Sequence, residues 1–163
     1  MPTFGYTSIG GSSYGAAKTA ACKFSIPENL TLNSIVVYMA STGGAANYNL
    51  AAYSDVVGVI TDLLTNGSDG GITTTPSWLT RTVTDESFSS GDNAWLVAAS
   101  DDTKQIYYDS GGTSQYAEIA PEFSTTFDAT AVVDAYYDVI MSIYGNYTAA
   151  SSGTKKLALL GVG

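Results

Sequence analysis

The side chains in this sequence that could do chemistry are oxygen-bearing: 12 tyrosines and 15 aspartates and glutamates, with no histidine and one cysteine. Without His, neither a Ser-His-Asp nor a Cys-His nucleophile can be assembled, and zinc held by His or by several Cys is excluded. There is no G-x-x-x-x-G-K-[ST] loop for a phosphate. The glycine-rich stretches "GGSSYG" and "GSDGG" lack the strand–helix setting of a nucleotide fingerprint. Paired carboxylates can hydrolyse glycosides, but the pairs Asp101/Asp102 and Asp85/Glu86 are adjacent, so on a strand each would point to opposite faces. We therefore expect a protein that is not an enzyme.

Calcium is the one ion for which ligands are plentiful. The acidic, glycine-containing turns "NGSDGG", "SGDN", "ASDDT" and "YDSGG" carry hard oxygen donors, with Asp69, Asp92, Asp101, Asp102 and Asp109 as candidates. None follows the spacing of an EF-hand loop, and Asp serves equally to set turn geometry through its own side chain. No other cofactor is expected. Among the tyrosines, Tyr107 adjoins Tyr108 and Tyr136 adjoins Tyr137, so in strands one of each pair faces outward. Exposed Tyr beside Asn, Ser and Asp stacks on sugar faces and hydrogen-bonds their hydroxyls, and it also builds protein interfaces. Tyr107, Tyr108, Tyr136 and Tyr144 are the ligand or interface candidates. Trp78 and Trp95, in "PSWLTRT" and "NAWLVAA", read as core anchors, and Cys22 in "AACKFSI" as a small buried hydrophobe.

The elements that must position these residues read as strands. Short β-branched and aromatic segments alternate with turn clusters, at 19–26, 32–40, 47–54, 56–64, 77–84, 93–100, 104–109, 136–145 and 157–162. In "SIVVYM", Ile35, Val37 and Met39 share a face; in "YYDVIMSIY", Tyr137, Val139, Met141 and Ile143 do. With Leu50, Trp95 and Val97, the aliphatic members of these rows form the expected core. "VVGVITDLLT" and the stretch Ala129–Ala135 could instead be helical. The expected fold is an all-β jelly-roll sandwich of two antiparallel sheets over residues 1–147. Residues 148–163 read as a flexible linker and an apolar end, "LALLGVG". Leu157, Leu159, Leu160 and Val162 would close the chain's own sheet or reach a neighbour's as an assembly arm.

Charged residues are only 13% of the chain, about half the ~25% usual for a soluble domain. Few ions need be desolvated when such a surface meets copies of itself or neighbours. The balance of 6 basic to 15 acidic residues, a net charge of −9, argues against nucleic acid or an anionic membrane as partner. No apolar run reaches the ~20 residues needed to span a bilayer. The opening "MPTFGYTSIGGSS" has neither the basic nor the apolar run of a secretory leader.

"FGYTSIGGSS", "KFSIPENLTLNSIVVYM", "NLAAYSD", "SWLTRTV", "SSGDNAWLVAASDD" and "IYYDSGG", in that order from about Phe4 to Tyr147, resemble a jelly-roll β-sandwich type seen in phage-encoded virion proteins. The same pattern looks like carbohydrate-binding-module-like and adhesin domains of extracellular multidomain proteins. The resemblance implies a structural protein of a virion surface, such as a tailed-phage capsid decoration or fibre protein. Made in the host cytoplasm without a signal peptide, it would act by contacts with capsid or tail proteins and copies of itself. The alternative it implies is a carbohydrate-binding or adhesin module that meets surface glycans. A subunit of an extracellular filament is the third reading.

Overall fold

A computed structural model describes residues 1–111, 115–122 and 124–150 of the 163. The alternating segments become fourteen strands: β1 (Thr3–Gly5), β2 (Ser12–Ala16), β3 (Lys18–Ser25), β4 (Leu30–Ser41), β5 (Ala46–Val56), β6 (Val59–Asn66), β7 (Gly70–Ile72), β8 (Ser77–Phe88), β9 (Asn93–Ser100), β10 (Lys104–Ser110), β11 (Tyr116–Glu122), β12 (Val133–Tyr137), β13 (Val139–Met141) and β14 (Ile143–Ala149). They form two antiparallel sheets of seven strands each. The β4 sheet contains the run β2–β10–β4–β8, and the β9 sheet contains the run β3–β9–β5–β6. From β3 to β5, and again from β8 to β10, each successive strand falls in the opposite sheet. This is the crossed order of the expected jelly roll.

Both β14 and β10 pair with the same edge of the long β4. β14 lies against Leu30–Val37 and β10 against Met39–Ser41. Ser142 bridges the gap between them. Its carbonyl accepts from the Tyr38 N–H at 2.9 Å, and its N–H donates to the Tyr107 carbonyl at 2.9 Å. The sheet is thereby continuous where β13 passes into β14.

The layer between the sheets is apolar. Ile35, Val37 and Met39 meet Leu50, Leu96, Ala98, Met141 and Ile143 there, all fully buried. Each Leu, Ile, Val or Met removed from water contributes roughly 1.5–3 kcal/mol before ordering costs. Lys104 shares this layer. It is fully buried, and its Nζ donates to the Lys18 carbonyl of the opposite sheet at 2.5 Å.

A second core lies on the outer face of the β9 sheet. Ala21, Ala51, Tyr53, Ile60, Trp95, Val97, Ala117 and Ile119 are buried there, with Phe127, Ala131 and Val133 packed over them. The cover is a strap, residues 124–132. It is tied down by the Tyr53 hydroxyl donating to the Asp128 carbonyl at 2.7 Å, by the Leu63 N–H donating to the Ala129 carbonyl at 2.9 Å, and by the Ala131 N–H donating to the Thr61 carbonyl at 2.8 Å. Trp95 and Val97 are thus buried, but not in the single inter-sheet core the sequence suggested. Successive residues of a strand face opposite ways, and on β9 it is Leu96 and Ala98 that point between the sheets.

Other expectations are corrected. Val139 is half-buried at the margin of the inter-sheet core, and Trp78 is half-exposed on the outside of the β4 sheet. "VVGV" is a hairpin: Val57 (φ 54°) and Gly58 (φ 85°) adopt the paired left-handed conformation that joins twisted strands, and β6 follows. No helix forms among the described residues. "YYDVIMSIYG" is three strands, the chain leaving the β9 sheet for the β4 sheet at Asp138. Tyr137 approaches the inter-sheet space from one sheet, and Met141 and Ile143 from the other. β14 runs on to Ala149, and Leu157, Leu159, Leu160 and Val162 lie outside the described residues.

Candidate functional site

On β4 the residues alternating with the core row, Ser34, Val36, Tyr38 and Ala40, point to the outer face, where Val36 and Ala40 are buried and Ser34 and Tyr38 are partly exposed. Register brings Trp78 of β8 opposite Tyr38, and Tyr144 of β14 opposite Val36. Tyr107 of β10 completes a line of ring contacts, Tyr144–Trp78–Tyr38–Tyr107, that reaches over β4 to β8 and returns through Tyr38 to β10. Centroids are 5.4 Å apart for Tyr144–Trp78, 5.2 Å for Trp78–Tyr38 and 4.9 Å for Tyr38–Tyr107, with planes at 62°, 62° and 76°. Such edge-to-face contacts fix each ring by its neighbours. All four rings are half-exposed.

Uncharged polar groups border the line. The Tyr107 hydroxyl donates to Gln105 Oε1 at 3.3 Å, Gln105 Nε2 to Ser13 Oγ at 3.0 Å, and Asn146 Nδ2 to Ser34 Oγ at 3.0 Å. Thr80 and Thr82 lie exposed beside them on β8. A face of pre-positioned rings with amide and hydroxyl groups at its margin suits a ligand with apolar C–H faces and many hydroxyls.

The other tyrosine candidates lie elsewhere. Tyr136 packs on Trp95 at 6.0 Å, on the far side of the molecule, and is 38% exposed. Tyr108 turns inward, to a cleft at the flank of the sandwich where β2, β10 and β13 face β11 and β12. Tyr14, Tyr108, Tyr116, Glu118, Tyr137 and Val139 line it, around a volume of about 310 Å³. The Tyr14 and Tyr116 hydroxyls share a hydrogen bond, and the Tyr14 hydroxyl also lies 3.3 Å from Glu118 Oε1. Burial pushes both hydroxyls well above the ordinary tyrosine range. The chain before β2 crosses close over this region. A Cβ on Gly10 would sit 2.2 Å from the Tyr108 carbonyl carbon, so only glycine fits there.

Each of the five aspartates accepts hydrogen bonds, Asp92 and Asp102 within their own turns and Asp69, Asp101 and Asp109 from other segments of the chain. Asp69 accepts from Thr125 Oγ1 at 2.8 Å, which helps hold the strap. Asp92 accepts from the Ser89 N–H at 3.2 Å, Asp101 from the Asn47 N–H at 2.7 Å, and Asp102 from the Thr103 N–H at 2.7 Å. Asp109 accepts from the Tyr6 hydroxyl and from the Gly11 N–H at 2.8 Å, which hold its carboxyl below the usual carboxylate range. Among the described residues no three acidic or sulfur side chains converge as a metal site.

Sequence reasoning thus found Tyr107 and Tyr144 of the outward line and missed Tyr38 and Trp78. The available signal was the row of β4 opposite Ile35, Val37 and Met39: once that row is core, Tyr38 must face out.

No protein-family model matches the sequence, and no curated protein matches it. Two solved structures are similar in fold. One is the clostridial cysteine protease Cwp84 after propeptide cleavage, with TM-score 0.60 and 16% identity, the match covering 86% of this chain and 38% of that one. The other comprises the cysteine protease and lectin-like domains of Cwp84, a surface-layer-associated protein of Clostridium difficile, with TM-score 0.62 and 15% identity, covering 91% of this chain and 36% of that one. The chain spans under two-fifths of the length of either, and at such identity the likeness is one of fold.

Proposed function

We propose that this chain is a non-catalytic glycan-binding module that works at an extracellular surface and takes a neutral polysaccharide across the open face of the β4 sheet. The observation that carries this reading is the line Tyr144–Trp78–Tyr38–Tyr107, half-exposed and bordered by Ser, Thr, Asn and Gln. Rings present π faces to sugar C–H groups, and the border supplies donors and acceptors for hydroxyls. The four rings carry no ionic group that would need desolvation; Asp109, which follows Tyr107 on the same face of β10, and the net charge of −9 disfavour anionic polymers. The fold agrees with this use. An all-β chain similar to about a third of a protein described as protease plus lectin-like domains accords with the lectin-like portion. The virion reading rests on a resemblance of sequence motifs that carbohydrate-binding modules share, and the filament reading on composition, which a glycan-binding surface also shares.

The test is affinity electrophoresis of the wild type and Trp78→Ala through gels containing a panel of neutral polysaccharides. At least one should retard the wild type, and the variant should lose at least about tenfold in affinity, or about 1.4 kcal/mol. Retardation by none, or equal retardation of Trp78→Ala, would count against the reading.

A further inference from the structure

The flank cleft lies apart from the open face, and its residues take no part in the reading above. Its walls are tyrosine rings from four strands. Tyr14 stands edge-on to Tyr108, with centroids 5.5 Å apart and planes at 75°, and edge-on to Tyr116, at 6.2 Å and 77°. Tyr137 leans against Tyr116 at 5.8 Å. The Tyr14 and Tyr116 hydroxyls are engaged with each other, and the Tyr14 hydroxyl also with Glu118. What faces the cavity is therefore mainly ring surface, with Glu118 as the one charged side chain among the lining residues. Its volume of about 310 Å³ lies at the small end of the range for ligand pockets.

These features select a ligand class. An anion would meet Glu118 in a chain of net charge −9. A neutral polyol would find few free partners for its hydroxyls. Ring faces and one carboxylate favour a cation that needs no hydrogen bonds of its own, since the ring quadrupole attracts it and the carboxylate balances its charge. We propose that the cleft binds a quaternary ammonium group of choline size, its methyls against Tyr14, Tyr108, Tyr116 and Tyr137 and its charge opposite Glu118.

The chain's own nearby cations, Lys104 and Lys18, act on Glu118 through space but form no ion pair with it. Lys104 shares the inter-sheet layer and feels the Glu118 charge, but its Nζ is directed to the Lys18 carbonyl, and burial pulls its amine down to about 7. Lys18 pairs with Asp134 at 3.0 Å and Glu122 at 3.8 Å.

The experiment is calorimetric titration of the full chain at constant ionic strength with three probes: choline chloride, its neutral isostere with a tert-butyl group in place of trimethylammonium, and methylammonium chloride. Choline should bind saturably in the millimolar range or tighter, and the isostere and methylammonium at least about fivefold more weakly. Glu118→Gln should weaken choline about five- to tenfold, and Tyr137→Leu by a similar factor. Tyr137 is 46% exposed, so its replacement leaves the inter-sheet core in place. Absence of saturable choline binding to the wild type would overturn the proposal. So would equal binding of the neutral isostere or of methylammonium, or undiminished choline binding by Glu118→Gln.

Discussion

On the outer face of the β9 sheet, Trp95 is fully buried and its indole N–H donates to Asp55 Oδ1 at 2.8 Å. Phe127, Ala131 and Val133 pack on the cluster that contains it. On the outer face of the β4 sheet, Trp78 stays half-exposed between Tyr38 and Tyr144. A two-layer sandwich has two such faces, and this chain covers one of them with residues 124–132. Covering turns an aromatic face into a second core, with its polar atoms paired. Leaving the other open keeps four rings in contact with water. We propose that open face, and not the covered one, as the place where the ligand binds.

The largest expected contrast is between the two tryptophans. Trp95→Ala should cost about 3–5 kcal/mol in urea-unfolding stability, because it opens a cavity under the strap and leaves Asp55 Oδ1 without its donor. Trp78→Ala should cost less, about 1–2 kcal/mol, because Trp78 is already partly exposed and loses mainly its ring contacts with Tyr38 and Tyr144. Equal losses would erase the distinction between the faces.

The layer beneath both faces has its own pH dependence. Lys104 is held at about 7 by burial, below the 10.5 of a free lysine. The unfolded chain therefore binds the proton more readily, so the penalty is full below pH 7 and is relieved as pH rises toward 10.5. Cys22 runs the other way. Burial pushes its thiol from 9 up to about 12, so stability it contributes below pH 9 is lost as pH rises above that. The raised hydroxyls of Tyr14, Tyr53 and Tyr116 add to the loss above 10. Stability should therefore climb by on the order of a few kcal/mol from neutral pH to a maximum between about 9 and 10, then fall. In Lys104→Met the climb should vanish while the fall remains; denaturant titrations across this range check it.

A smaller change sharpens the role of the strap. Tyr53→Phe removes the hydroxyl that holds the Asp128 carbonyl and should cost about 1 kcal/mol. Hydrogen exchange should quicken at the Leu63 and Ala131 amides, which bond across the strap, and stay unchanged at Tyr38 in β4.

How much of this was readable from sequence depended on how many faces of a strand are covered. β4 alternates over much of its length, and Ile35, Val37 and Met39 could be assigned inward on pattern alone. In β9, "AWLVAAS" is buried throughout, so no alternation separates Trp95 and Val97 from Leu96 and Ala98. The strap that causes this is a short stretch of Ser, Thr, Asp, Ala and Val with one Phe, which carries no periodic signal. Adjacency did serve for Tyr136 and Tyr137, which point to opposite sides, toward Trp95 and toward Tyr116. The cleft was unreadable because Tyr14, Tyr108, Tyr116 and Tyr137 come from separate strands in both sheets. Trp78 was misassigned because nothing local distinguishes a tryptophan that packs inward from one whose neighbours, Tyr38 and Tyr144, are supplied across the sheet.

The chain has two tryptophans, and each reports on one face. In a nitrogen–proton correlation spectrum the two indole N–H signals are separately resolvable, and Trp78→Phe assigns them. Titrating in the polysaccharide that retards the protein most should shift the Trp78 signal progressively to saturation and leave the Trp95 signal in place. Movement of the Trp95 signal alone, or of neither signal at saturating polysaccharide, would contradict recognition at the open face.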